Sequence, residues 1–103
     1  MRLILLFISF SLFADLSSNI EANKTKFENI ALEIWDFAEM GYLEEKSSKL
    51  LQETLIEAGF TVKTGIAGIP TAFVAEYNNN GPIIGILAEF DALPGLSQNN
   101  TPF

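Results

Sequence analysis

The hydrophobic and polar positions of the chain first follow a helical period. Between residues 20 and 40, apolar side chains recur every three or four positions and acidic side chains fill the places between them. This pattern predicts an amphipathic helix. Ser18 and Glu21 form a capping box that is typical of a helix start. Gly41 is expected to end the helix in the left-handed conformation.

A second helical pattern covers residues 44–58. Leu51 and Leu55 lie on one stripe of this predicted helix, and Glu45 suits the positive end of its dipole. Gly59 fits the C-cap position, and the apolar Phe60 beyond it is expected to fold back onto the last turn.

The pattern then changes to short runs of strand length, which predict residues 61–64, 71–77 and 83–88 as strands. Residues 78–81 are three Asn and a Gly, which favour a turn because they tolerate positive φ. We therefore expect the second and third strands to form an antiparallel hairpin. The order of elements predicts an α/β fold in which two N-terminal helices pack on a mixed β-sheet.

The third predicted strand carries the candidate chemistry of the chain. Residues 83–88 are apolar without alternation, as in a strand buried on both faces. Glu89 and Asp91 follow where this strand should end. Side chains two apart on a strand share a face, so both carboxylates should meet at the carboxyl edge of the sheet, where open α/β folds place their sites. Without further context, the two acids also fit ordinary solvated residues at a strand end.

Composition narrows the classes of function. The chain has 103 residues with 13 acidic side chains against 6 basic ones, for a formal net charge of −7. This charge argues against a nucleic-acid partner, because no basic patch neutralises phosphates. Cys and His are both absent, so disulfides are excluded and the usual imidazole ligands of a catalytic metal are missing.

The N-terminus has the pattern of a secretory signal peptide. Arg2 supplies the positive charge, residues 3–13 form a short apolar run, and Ala14 suits a cleavage site. The run is shorter than the roughly 20 residues that cross a bilayer, so no stable membrane anchor is expected. The predicted organisation is a signal peptide at 1–14, followed by one exported domain at 15–103.

Residues 34–98 resemble the N-terminal part of the zinc-dependent amidohydrolase and peptidase family, which includes aminoacylases and hippurate hydrolases. Within it, the branch of p-aminobenzoyl-glutamate hydrolases and related dipeptidases is the most similar. The resemblance rests on five sequence blocks: Ile34–Glu39 (IWDFAE), Glu44–Ser48 with Leu50 and Leu51 (EEKSS and LL), Gly59–Phe60 (GF), Gly65–Phe73 (GIAGIPTAF) and Ile84–Gln98 (IGILAEFDALPGLSQ).

The resemblance implies a partial catalytic domain of the zinc-peptidase kind. Members hydrolyse amide bonds of N-acyl amino acids or dipeptides with zinc or another divalent metal, and form homodimers or larger homo-oligomers. Asp91 matches an aspartate that orients a metal ligand, and Glu89 stands, with a weaker match, where related peptidases have a metal-binding His. The Cys-Gly-His segment, the glutamate pair and the dimerisation domain of the family do not appear in the sequence. We therefore expect this chain to hold no complete zinc site and to be inactive alone. The alternative is a small exported α/β domain that binds or interacts without catalysis.

Overall fold

The structure of the chain, a computed structural model, describes residues 9–77 and 80–96. Two helices come first, and a small sheet follows them. The chain divides into two compact units, Met1–Ala31 and Leu32–Phe103. The second unit contains the sheet and both candidate carboxylates, so it is the unit that bears on function.

The first helix, α1, spans Ser9–Phe37 and is longer at its start than the sequence predicts. Ser18 and Glu21 lie inside it, so the prediction of a capping box there is wrong. A capping box acts only where the preceding chain leaves the helix, and here the preceding residues are helical as well. The helix ends before Ala38, whose φ of 48° is left-handed. The expectation that Gly41 takes this conformation is therefore also wrong.

The first unit is described as helix from Ser9 onward. Its apolar side chains Leu16, Ile20 and Phe27 are each more than half exposed. Residues 1–8 of the predicted signal peptide lie outside the described residues. Across the part of the chain that the structure does describe, no helix combines the length and apolar character that crossing a membrane would require.

The second helix, α2, spans Glu45–Glu57 and agrees with the prediction to within one residue at each end. Its C-terminal signal is also confirmed. Gly59 has a φ of 91° and donates its amide to the Ile56 carbonyl at 2.9 Å, while the Phe60 amide binds the Leu55 carbonyl at 3.0 Å. These two bonds form a Schellman motif, in which only the residue in the left-handed position needs to be Gly.

The sheet consists of β1 (Thr61–Thr64) and β2 (Phe73–Glu76), which pair antiparallel with Thr61 opposite Glu76 and Thr64 opposite Phe73. A loop with one short 3-10 turn, Ile66–Gly68, connects them. Helix α2 packs against both strands. The fold is therefore a small α/β unit made of helices followed by a two-stranded hairpin.

The predicted third strand differs most from the structure. Residues 83–88 are extended but pair with neither strand, and β2 pairs with β1 instead. The side chains of Ile83, Ile86 and Leu87 are each more than nine-tenths exposed. The expected hairpin with β2 and the expected mixed sheet are therefore wrong for the described residues. An apolar pattern shows which run suits a buried strand, but a strand forms only when a neighbour supplies its hydrogen bonds.

Candidate functional site

Asp91 lies on a segment that two neighbouring residues attach to the rest of the second unit. The Ala92 amide donates a hydrogen bond of 2.7 Å to the Glu39 carbonyl, and Ala92 pairs with Met40 in an isolated parallel bridge. The Phe90 ring packs against Phe73 of β2, with ring centroids 6.2 Å apart. The backbone around Asp91 is therefore held in place although no strand precedes it.

Exposure alternates along this segment. Phe90 and Ala92 are half-buried, whereas Glu89 and Asp91 are exposed. This is the period of two that an extended chain produces, so the two predicted site carboxylates lie on the outward side of the segment. The prediction that they act together in catalysis stays a prediction.

Gly41 lies between two acidic side chains. A Cβ placed on Gly41 would be 3.5 Å from Oδ2 of Asp91 and 3.9 Å from Oε1 of Glu44. The Asp91 and Glu44 carboxylates therefore flank the Gly41 backbone. Sequence reasoning treated Glu44 only as a residue that favours a helix start, and no local pattern indicated that it lies near Asp91.

Glu39 caps helix α2 from outside the helix. Its Oε1 accepts the Lys46 amide at 3.0 Å, and its Oε2 accepts the Ser47 amide at 2.9 Å and the Ser47 hydroxyl at 2.8 Å. Glu44, at the N-cap position itself, makes no side-chain bond of this kind. Glu39 thus supplies acceptors for two of the free amides at the helix start, where negative charge is also favourable.

A second set of polar bonds joins α2 to the start of β2. The Ser48 hydroxyl donates to the Thr71 carbonyl at 2.6 Å and accepts a bond of 2.8 Å from the Gln52 side chain. The Thr71 hydroxyl donates to Glu44 at 2.8 Å. Ser47, Ser48 and Thr71 are the buried residues among those described, so this part of the fold is held together by paired polar groups.

The environment lowers the pKa of both Glu39 and Glu44. Partial desolvation acts in the opposite direction and raises each pKa. For Glu39, the bonds from the Ser47 and Lys46 amides and the Ser47 hydroxyl outweigh it. For Glu44, backbone amides and the Thr71 hydroxyl do so, although the Glu39 charge opposes them. A carboxyl with a lowered folded pKa contributes stability above its unfolded pKa and loses it as the pH falls through the folded value.

The donor set does not fit a resident metal. Among the residues that the structure describes, no group of three or more acidic, His or Cys side chains is arranged to hold an ion. The whole sequence contains no His and no Cys. Hard cations take several oxygen ligands and zinc favours nitrogen and sulfur, so neither kind of site is complete here.

Helix α2, the short hairpin and the anchored acidic segment define a small α/β unit, and its sequence relates it to hydrolases. The chain is 43% identical over 79 residues to a p-aminobenzoyl-glutamate hydrolase protein of Escherichia coli (strain K12), which covers 77% of this chain and 16% of that protein. It is 36% identical over 76 residues to thermostable carboxypeptidase 2 of Saccharolobus solfataricus, covering 72% of this chain and 19% of that protein. It is 34% identical over 83 residues to hippurate hydrolase of Campylobacter jejuni, covering 76% and 20%.

These similarities confirm the resemblance by sequence: the chain is homologous, over part of their length, to a family of metal-dependent amidohydrolases and peptidases. It spans about one fifth or less of the relatives that it matches. No family model matches the chain.

Proposed function

We propose that this sequence is part of an enzyme that hydrolyses the amide bond of an N-acyl amino acid or dipeptide, with p-aminobenzoyl-glutamate as the model substrate. The observation that carries the proposal is the 43% identity over 79 residues to the p-aminobenzoyl-glutamate hydrolase protein. Similarity to a hippurate hydrolase and to carboxypeptidases supports the same class of bond, because each name describes cleavage of an amide next to a carboxylate.

In this proposal, Asp91 orients a neighbouring ligand group by accepting a hydrogen bond, and Glu89 has at most a supporting role. Because the residues of this chain do not fit a metal, the ligands of a zinc or similar ion would come from sequence beyond these 103 residues. The metal, when bound there, would activate water and polarise the scissile carbonyl. The proposed complete enzyme is a homodimer or larger homo-oligomer, as the family resemblance implies.

The experiment compares this chain with a chimera. In the chimera, the matching 79-residue segment of the Escherichia coli hydrolase protein is replaced by its counterpart from this chain. We expect hydrolysis of p-aminobenzoyl-glutamate by the chimera in the presence of zinc, and none by the 103-residue chain alone. The parent Escherichia coli protein, assayed under the same conditions, is the positive control. An inactive but folded chimera, or turnover by the short chain alone, would contradict the proposal.

One observation favours a second candidate, a small binding or interaction domain without catalysis. The exposed apolar residues Ile83, Ile84, Ile86 and Leu87 form a continuous extended surface of the kind that other chains pair with. The chimera separates the two candidates, because a segment that has evolved only for binding has no reason to support turnover.

We also propose that the chain is exported and cleaved after Ala14. Arg2 and the apolar run at 3–13 support this proposal. N-terminal sequencing of the product recovered from cells is expected to begin at Asp15. Recovery of the product with Met1 intact inside the cell would contradict export.

A further inference from the structure

We propose that Glu39 is a positioning residue for Asp91, which it connects to the start of helix α2. The catalytic meaning of this inference rests on the proposed function, but the connection itself is a property of the fold. It predicts that a change at the Glu39 side chain alters how firmly the Asp91 segment is held.

Glu39 makes this connection with two different groups. Its carboxylate accepts three hydrogen bonds from Lys46 and Ser47, at 2.8–3.0 Å, which fix Glu39 to the first turn of α2. Its main-chain carbonyl accepts the Ala92 amide at 2.7 Å, directly next to Asp91. The same residue is therefore bonded to the helix through its side chain and to the site segment through its backbone.

The surroundings explain why the position of Glu39 matters for Asp91. Met40, the next residue, pairs with Ala92, and Gly41 after it lies against the Asp91 carboxylate. A shift of the backbone at Glu39 would therefore move the residues that contact Asp91. Since Ala38 just before Glu39 is in the left-handed conformation at the end of α1, little regular structure on that side restrains the backbone.

The charge of Glu39 is part of the connection. A carboxylate accepts bonds at both oxygens, whereas a protonated carboxyl turns one oxygen into a donor that faces an N–H group. The charged groups around Glu39 are Lys46 on α2, which favours the carboxylate, and Glu44 before α2, which opposes it; Asp91 lies farther on, across Gly41. The bonds lower the pKa of Glu39, so the connection is intact above the ordinary carboxyl pKa of about 4.3 and weakens as the pH falls below it.

The test is hydrogen exchange of the full 103-residue chain at low micromolar concentration, read by mass spectrometry. In Glu39→Gln, one carboxylate oxygen becomes an NH₂ group that cannot accept. We expect exchange in the peptide carrying residues 89–96 to become roughly fivefold faster, the change in an equilibrium that the loss of one helix cap typically produces. Glu45→Gln is the matched control, because it removes an exposed acid from the same first turn that does not cap α2. We expect no change in that peptide for the control.

A peptide from β1 and β2 serves as the reference for global unfolding. Faster exchange near the start of α2 with unchanged exchange at 89–96 would show that Glu39 only caps the helix, and would overturn the inference. Equal acceleration in all peptides, including the hairpin, would also contradict it. If the variant does not fold, the unmodified chain still decides the matter: after correction for intrinsic rates, protection at 89–96 should fall between pH 6 and pH 3, and constant protection would overturn the inference. No substrate or metal enters these measurements, so their outcome is independent of whether the chimera is active.

Discussion

Asp91→Ala in the chimera is expected to lower the rate of p-aminobenzoyl-glutamate hydrolysis by about 10- to 100-fold, the loss that follows when a partner that orients a metal ligand is removed. Asp91 is exposed and its backbone neighbours are held by the Glu39 carbonyl and by Phe73. Removing the carboxylate therefore takes away a group that faces outward from a fixed backbone. The fold of the chimera should remain, because no buried contact depends on this side chain.

Glu89→Ala is the matched control for this prediction. Glu89 is the other acid on the outward side of the segment, two positions before Asp91, and it too is exposed. We expect its removal to cost much less activity. Circular dichroism and the melting temperature of each variant should match those of the unchanged chimera. Equal losses of activity from the two substitutions would contradict the assignment of Asp91 as the more important carboxylate.

Ile84→Lys together with Ile86→Lys is expected to convert the 103-residue chain from a largely aggregated product to a largely monomeric one. The two side chains are 83% and 92% exposed and lie on one face of an extended run whose backbone pairs with neither β1 nor β2. An exposed apolar strand of this kind pairs readily with other chains, and a Lys on such a strand opposes pairing. The unchanged chain should therefore be poorly soluble, which size-exclusion chromatography with light scattering measures.

Leu16→Lys together with Ile20→Lys is the matched control. These residues are also apolar and exposed, at 63% and 64%, but they lie on α1, where the backbone hydrogen bonds are formed within the helix. Both pairs of substitutions move the negative net charge toward zero by the same amount, so a difference between them cannot arise from net charge. We expect little improvement from the control pair. A monomeric unchanged chain with a cooperative melt would show that the exposed run does not drive association.

Local sequence signals predicted the elements whose hydrogen bonds are local. Helix α2 and its Gly59 cap follow from side-chain period and from a motif that is complete within a few residues, and the structure confirms both. Strand β1 was also predicted at its observed bounds. The start and end of α1 were wrong because capping motifs permit a helix end without requiring one. The neighbouring residues decide whether it is used, as Ser18 shows by lying inside the helix.

Contacts between distant residues were not predictable from the sequence. Residues 83–88 have the composition of a buried strand, yet the choice of partner for β2 depended on the loop that brings β1 beside it. The same limit applies to the candidate site. The sequence pointed to Glu89 and Asp91 from their spacing, but the bond from Ala92 to Glu39 links positions more than fifty residues apart. No periodicity or turn signal contains that information.

The polar nature of the buried positions has a consequence for the thermodynamics of unfolding. Ser47, Ser48 and Thr71 are the buried residues in the described part of the chain, whereas its large apolar side chains are half-buried or exposed. Exposure of apolar surface raises the heat capacity of a protein and exposure of polar surface lowers it. Unfolding of this chain should therefore have a small heat-capacity change for its length, and its stability curve should be flatter with temperature than that of a domain with an apolar core.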